Sequence, residues 1–70
     1  MNQIEIINAI VQERKRQDYL HPRNKQHEYL AILIEEIGEV AKAIQEKDRN
    51  NQKEEIIQVA SVCIRWLEEL

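Results

Sequence analysis

Only one glycine, Gly38, and one proline, Pro22, interrupt this chain. A β-sandwich needs both residue types at its many turns, and a phosphate-cradling loop needs clustered glycines, so neither architecture fits. With 43% apolar residues, 33% charged residues and no Phe, the composition suits packed helices and not a disordered tail. The chain reads as all-α. Size is the next constraint: 70 residues bury only about 60% of their unfolded surface, and folds this short usually carry a staple. Cys63 is the only cysteine, which excludes an internal disulfide and a cysteine-based zinc knuckle. Oligomerisation is the staple that remains. The expected architecture is one domain, 1–70, with three helices per chain forming a helical bundle completed by oligomerisation.

Turn chemistry gathers at Leu20-His21-Pro22-Arg23-Asn24 and at Asp48-Arg49-Asn50-Asn51. Pro22 disfavours helical geometry at His21, Asn24 is a candidate cap for the next helix, and Asn51 with Glu54 resembles a capping box. These signals predict helices over about 2–19, 25–48 and 52–69, joined closely enough to be antiparallel neighbours. On a wheel of ~100° per residue, Leu30, Leu33, Ile34, Ile37, Val40, Ala41 and Ile44 share one arc of the second helix and predict its core stripe. The third helix is apolar over more than half its circumference, through Ile56, Ile57, Val59, Ala60, Val62, Cys63, Ile64, Trp66, Leu67 and Leu70. That exceeds what its neighbours in one chain would cover, so part of it is expected to meet another subunit.

A net charge of −3 gives no electrostatic basis for binding nucleic acid. No apolar run approaches the roughly 18 residues of a membrane span, and Met1-Asn2-Gln3-Ile4-Glu5 lacks the pattern of a signal peptide. A cytoplasmic protein without a membrane partner is expected.

Several polar residues stand where apolar ones belong. On the second helix, Ile32, Glu36, Glu39 and Ala43 form a second stripe, with Glu35 four residues before Glu39. On the third, Glu55 heads the line Val59, Val62, Trp66, with Gln58 on its edge. On the first, Arg14 continues Ile7 and Val11, and Gln17 follows Ile10. Buried carboxylates cost several kcal/mol each unless paired, protonated or bound to metal, and Arg14 suffices for one or two of them. If Glu35, Glu36, Glu39 and Glu55 converge, a hard divalent cation with oxygen ligands is the natural neutraliser. Magnesium fits best, and because it binds through a few carboxylates plus substrate phosphates, the implied substrate is a phosphate compound. Each feature alone has a plainer reading. A Glu-Glu-x-x-Glu is usually a solvated face, Glu55 suits the first turn of a helix, and Arg14 suits a surface pair. The combination on adjacent helices is what separates the two readings.

The run Glu35-Glu36-Ile37-Gly38-Glu39-Val40-Ala41-Lys42-Ala43, then Glu55, then Val59-Ala60-Ser61-Val62 through Trp66-Leu67-Glu68, resembles the MazG-like all-α nucleoside triphosphate pyrophosphohydrolases. Glu13-Arg14-Lys15-Arg16-Gln17-Asp18 and the following His-Pro look like the Arg-x-x-Gln-Asp stretch of short bacterial and phage members, so the resemblance spans nearly the whole chain. That family carries Glu-Glu-x-x-Glu on one helix and Glu-x-x-Asp on the next, ligating magnesium in a helical bundle completed by a second subunit. One position departs: Gln58 stands where the second motif has Asp, and an amide offers an oxygen but no charge.

The resemblance implies hydrolysis of a nucleoside triphosphate between the α and β phosphates, giving monophosphate and pyrophosphate, in a homo-oligomer that is a dimer or tetramer. It implies Mg2+ on Glu36, Glu39 and Glu55, and Glu35, whose wheel position differs from that ligand stripe, is the candidate for activating water. Arg14, Gln17, His21, Lys25, Lys42 and Gln58 are the candidates for substrate contact, and Trp66, Tyr19 and Tyr29 are the aromatics available to a base. The alternative is a catalytically weak or inactive helical nucleotide-binding or oligomerisation module, for which Gln58 is the best support.

Overall fold

Asn2 starts the first helix, α1 (Gln3–Leu20), through a reciprocal cap. Its side chain accepts the Glu5 backbone N–H at 2.9 Å while the Glu5 carboxylate accepts the Asn2 N–H at 3.3 Å, which satisfies two otherwise orphaned donors. The computed structural model describes residues 1–21 and 25–70 and adds α2 (Gln26–Gln45) and α3 (Arg49–Glu68). The expected cap Asn24 lies outside the described residues. The third helix begins three residues earlier than the turn chemistry suggests, and its cap is Asp48 rather than Asn51: the Asp48 carboxylate accepts the Asn51 N–H at 3.1 Å. The cause is local. Lys47 takes a left-handed backbone (φ 56°) and stops α2 early, so the extended Asp48 is already in place to open α3.

The helix α3 lies between the other two. Both α1 and α2 pack on it, and among the described residues they do not pack on each other. With α1 and α2 each packed on α3 and not on each other, the described helices form an open arrangement and not a closed three-helix bundle. Ser61 permits the close approach of α1. It is fully buried, and its hydroxyl shares its proton between the Ile57 carbonyl at 2.7 Å and the Ile10 carbonyl at 3.1 Å.

This order of helices changes which stripe of α2 is core. Tyr29 and Ala43 are buried, with Glu36 midway between them on the side facing α3. The expected core residues Leu30, Ile34, Ile37 and Ile44 are exposed, Ile34 by 62% and Ile37 by 52%. Their stripe would need a second neighbour, and α1 is on the far side of α3. The helix expected to have excess apolar surface, α3, is flanked on two sides and leaves Ile56 and Leu67 exposed, while α2 carries a longer uncovered stripe. No described helix is long and apolar enough to cross a membrane.

Candidate active site

Where α2 meets α3, Glu36 and Glu55 come together, both within hydrogen-bond reach of one side-chain amide. Gln58, one turn beyond Glu55, closes the cluster. In the orientation that satisfies both ends of its amide, Nε2 donates to Glu36 Oε2 at 2.7 Å and to Glu55 Oε2 at 3.3 Å. Partial burial, then the hydrogen bond and charge of Glu55, then the charges of Glu35 and Glu39, push the Glu36 carboxyl up to about 7.

The first helix supplies the roof. Gln17 Nε2 donates to the Gln58 carbonyl at 3.3 Å and to Glu13 Oε2 at 3.0 Å, which fixes α1 over the cluster. Glu13 also receives both prongs of Arg16, Nε to Oε1 at 2.8 Å and a terminal nitrogen to Oε2 at 2.9 Å, and this pairing holds its carboxyl below the usual range. Beneath lies a cavity of about 340 Å³. It is lined by Ile32, Glu35 and Glu36 from α2, by Gln58, Val62 and Arg65 from α3, and by Glu13, Arg16, Gln17 and Leu20 from α1 with His21 beyond its end.

Of the four carboxylates expected to converge, the structure brings together Glu36 and Glu55. Glu35 lines the cavity but is exposed, and Glu39 is exposed one turn along, so both reach Glu36 only through their charge. Glu36 is half-buried on the line of α2 between the buried Tyr29 and Ala43, whereas Glu35 and Glu39 are left in solvent. Among the described residues no three His, Cys, Asp or Glu side chains surround one point. The two carboxylates are hard oxygen donors of the kind that suits Mg2+, which takes its remaining ligands from water and phosphate, and the Gln58 amide presents its nitrogen to them.

Gln17, His21 and Gln58 line the cavity as expected for substrate contact. Arg14 is elsewhere, its Nε donating to Glu68 Oε1 at 2.7 Å with Asp18 at 3.9 Å, so it clamps α1 to the end of α3. Lys25 and Lys42 are exposed and outside the cavity. Tyr29 and Trp66 stack on each other, ring centres 6.2 Å apart and planes 10° apart, and Tyr19 is exposed. The cavity's own cations are Arg16 and Arg65. Arg65 gives little sequence signal, since a cation in the last turn of a helix is usually a solvated partner of the dipole. The available clue is that Glu55, Gln58, Val62 and Arg65 follow one line at steps of three, four and three.

The model of the MazG nucleotide pyrophosphohydrolase domain matches residues 24–63, more than half the chain, and so takes in α2, the turn after it and α3 as far as Cys63. The chain belongs to the MazG family. The MazG match contains Glu35, Glu36, Glu39, Glu55 and Gln58, and leaves α1 and Arg65 outside it. No curated protein and no solved structure matches at a significant level.

Proposed function

We propose that this MazG chain is a magnesium-dependent nucleoside triphosphate pyrophosphohydrolase, cleaving between the α and β phosphates to release nucleoside monophosphate and pyrophosphate in the cytoplasm. What carries this is the meeting of Glu36 and Glu55, from two helices, at the edge of a cavity of about 340 Å³, which is within the size range of small-molecule sites. Magnesium, when bound, neutralises charge on the phosphates and orients them. Glu36 and Glu55 hold it, joined by Glu39 from the next turn of α2 and by the oxygen of Gln58 once its amide turns over. Glu35, exposed at the cavity, accepts the proton of the attacking water as the new P–O bond forms and the bridging P–O bond breaks. Gln17, His21 and Gln58 contact the substrate within the cavity, and Arg14, Lys25 and Lys42 act from outside it. The working unit is a homo-oligomer, dimer or tetramer, joined through the uncovered stripe of α2.

The test is turnover of a panel of ordinary and damaged nucleoside triphosphates with magnesium, reading pyrophosphate and monophosphate together. Equal amounts of the two are expected, and Glu55→Gln should cost more than the about 10–100-fold typical of groups just outside a metal's ligands. Gln58 in place of an acid favours a second reading, a nucleotide-binding module without turnover. Nucleotide binding with no pyrophosphate from any substrate would decide for that reading.

A further inference from the structure

Arg65 stands at the end of the cavity away from the carboxylate pair, and only 5% of it is exposed. A guanidinium so far from water is costly unless its charge and donors are met. Here they are met in part: one terminal nitrogen donates to the His21 carbonyl, and the guanidinium carbon lies 5.8 Å from the centre of the Tyr29 ring. No carboxylate among the described residues is within ion-pair distance of Arg65, and its Nε has no acceptor. Three glutamates line the same cavity, yet none serves as counter-ion. Glu13 is taken by Arg16 and Gln17, Glu36 by Glu55 and Gln58, and Glu35 is turned to solvent.

The structure assigns Arg65 as a phosphate-recognising residue: the counter-ion its buried guanidinium lacks is a phosphate oxygen of the bound nucleotide. This rests on the cavity being the nucleotide site. Arginine's planar fork suits a phosphate better than a point charge does. Seven residues of α3 separate Gln58 from Arg65, about 10 Å at 1.5 Å per residue, so Arg65 meets the far end of the phosphate chain and not the phosphate at the carboxylates. The stacked Tyr29 and Trp66 fix the wall against which the guanidinium rests.

Inorganic pyrophosphate is the probe, titrated by calorimetry in the presence of magnesium, with a nucleoside lacking phosphates as the second arm. Arg65→Met should bind pyrophosphate about tenfold or more weakly, Arg65→Lys should fall between, and nucleoside binding should be unmoved. The ligand-free melting temperature of Arg65→Met should hold or rise, since an apolar side chain of similar volume replaces a lone buried charge. Unchanged pyrophosphate affinity in a folded Arg65→Met overturns the assignment, as does loss of nucleoside binding alone. If Arg65→Met does not fold, the Arg65 Nε resonance of the unmodified protein, identified by its disappearance in Arg65→Lys, decides the matter. It shifts with pyrophosphate if Arg65 meets the phosphate, and stays fixed if it does not. Arg65-dependent pyrophosphate binding in a protein that hydrolyses nothing sinks the proposed activity and leaves this assignment standing, and turnover with Arg65-independent binding does the reverse.

Discussion

Gln58 sets its amide nitrogen 2.7 Å from the Glu36 carboxylate, bridging from α3 to α2. A neutral donor thus holds together two acids that otherwise repel, which is part of what a bound cation does at such a site. The same contact turns the amide oxygen away from the pair.

Replacing this amide by an acid is therefore expected to act in two directions. Gln58→Asp removes the donor and adds a third negative charge, so the metal-free protein should melt at a lower temperature. Magnesium affinity should rise, because hard-cation binding strengthens with ligand charge. Calorimetric magnesium titration of both proteins, with helical content followed by circular dichroism, checks both parts. Equal or weaker affinity in a folded variant would mean that position 58 does not face the metal.

Glu36 is expected to give the metal-free protein an unusual pH dependence. Its carboxyl is raised from 4.5 to about 7 in the folded state, chiefly by burial, so between those values the folded chain holds a proton that the unfolded chain has released. Stability should fall as pH climbs from about 4.5 to about 7 and then level off. Glu13, lowered by Arg16, works the other way at more acid pH, its contribution being lost as pH falls through its lowered value. Thermal melts across this range with a metal chelator should show the decline, and Glu36→Gln should flatten it. A wild-type melting temperature that climbs through the same window would contradict the assignment.

The uncovered stripe of α2 makes the proposed self-association testable. Ile34→Glu combined with Ile37→Glu places charges on a face that is already exposed within the chain, so the fold of one chain loses little packing while an interface there loses its apolar centre. Wild-type melting should depend on protein concentration, and the double variant should sediment as a smaller species. Unchanged sedimentation would move the interface elsewhere.

Ser61 sets the height of α1. Ser61→Leu should destabilise by about 1–3 kcal/mol through overpacking, whereas Ser61→Ala, which loses only the hydroxyl's bonds, should cost about 1 kcal/mol. Urea unfolding measures both. Equal effects of the two would show that the tight approach at Ile10 is not limiting.

The helices were legible because their stops are chemical: Pro22 and the polar residues around Asp48 cannot be read as helix interior. The start of α3 was less so, since Asp48 and Asn51 are equally good caps and the left-handed Lys47 that chooses between them leaves no signature in its residue type. The core face of α2 was misjudged for a different reason. Both of its stripes carry apolar residues, and which is buried depends on α3 lying between its neighbours, a property of the assembly of helices and not of any one wheel. Glu36 and Glu55 were visible as acids on apolar lines. The direction of the Gln58 amide and the solitude of Arg65 were not, because both depend on what other side chains have already claimed.

With α3 as the shared partner of α1 and α2, the two halves of the site hang on two separate interfaces. The acids belong to one seam and the roof, with Arg16 and Gln17, to the other. Substitutions that reshape the roof need not disturb the seam that holds the acids. A lineage built on this plan is free to vary the one interface while holding the other constant, even in so short a chain.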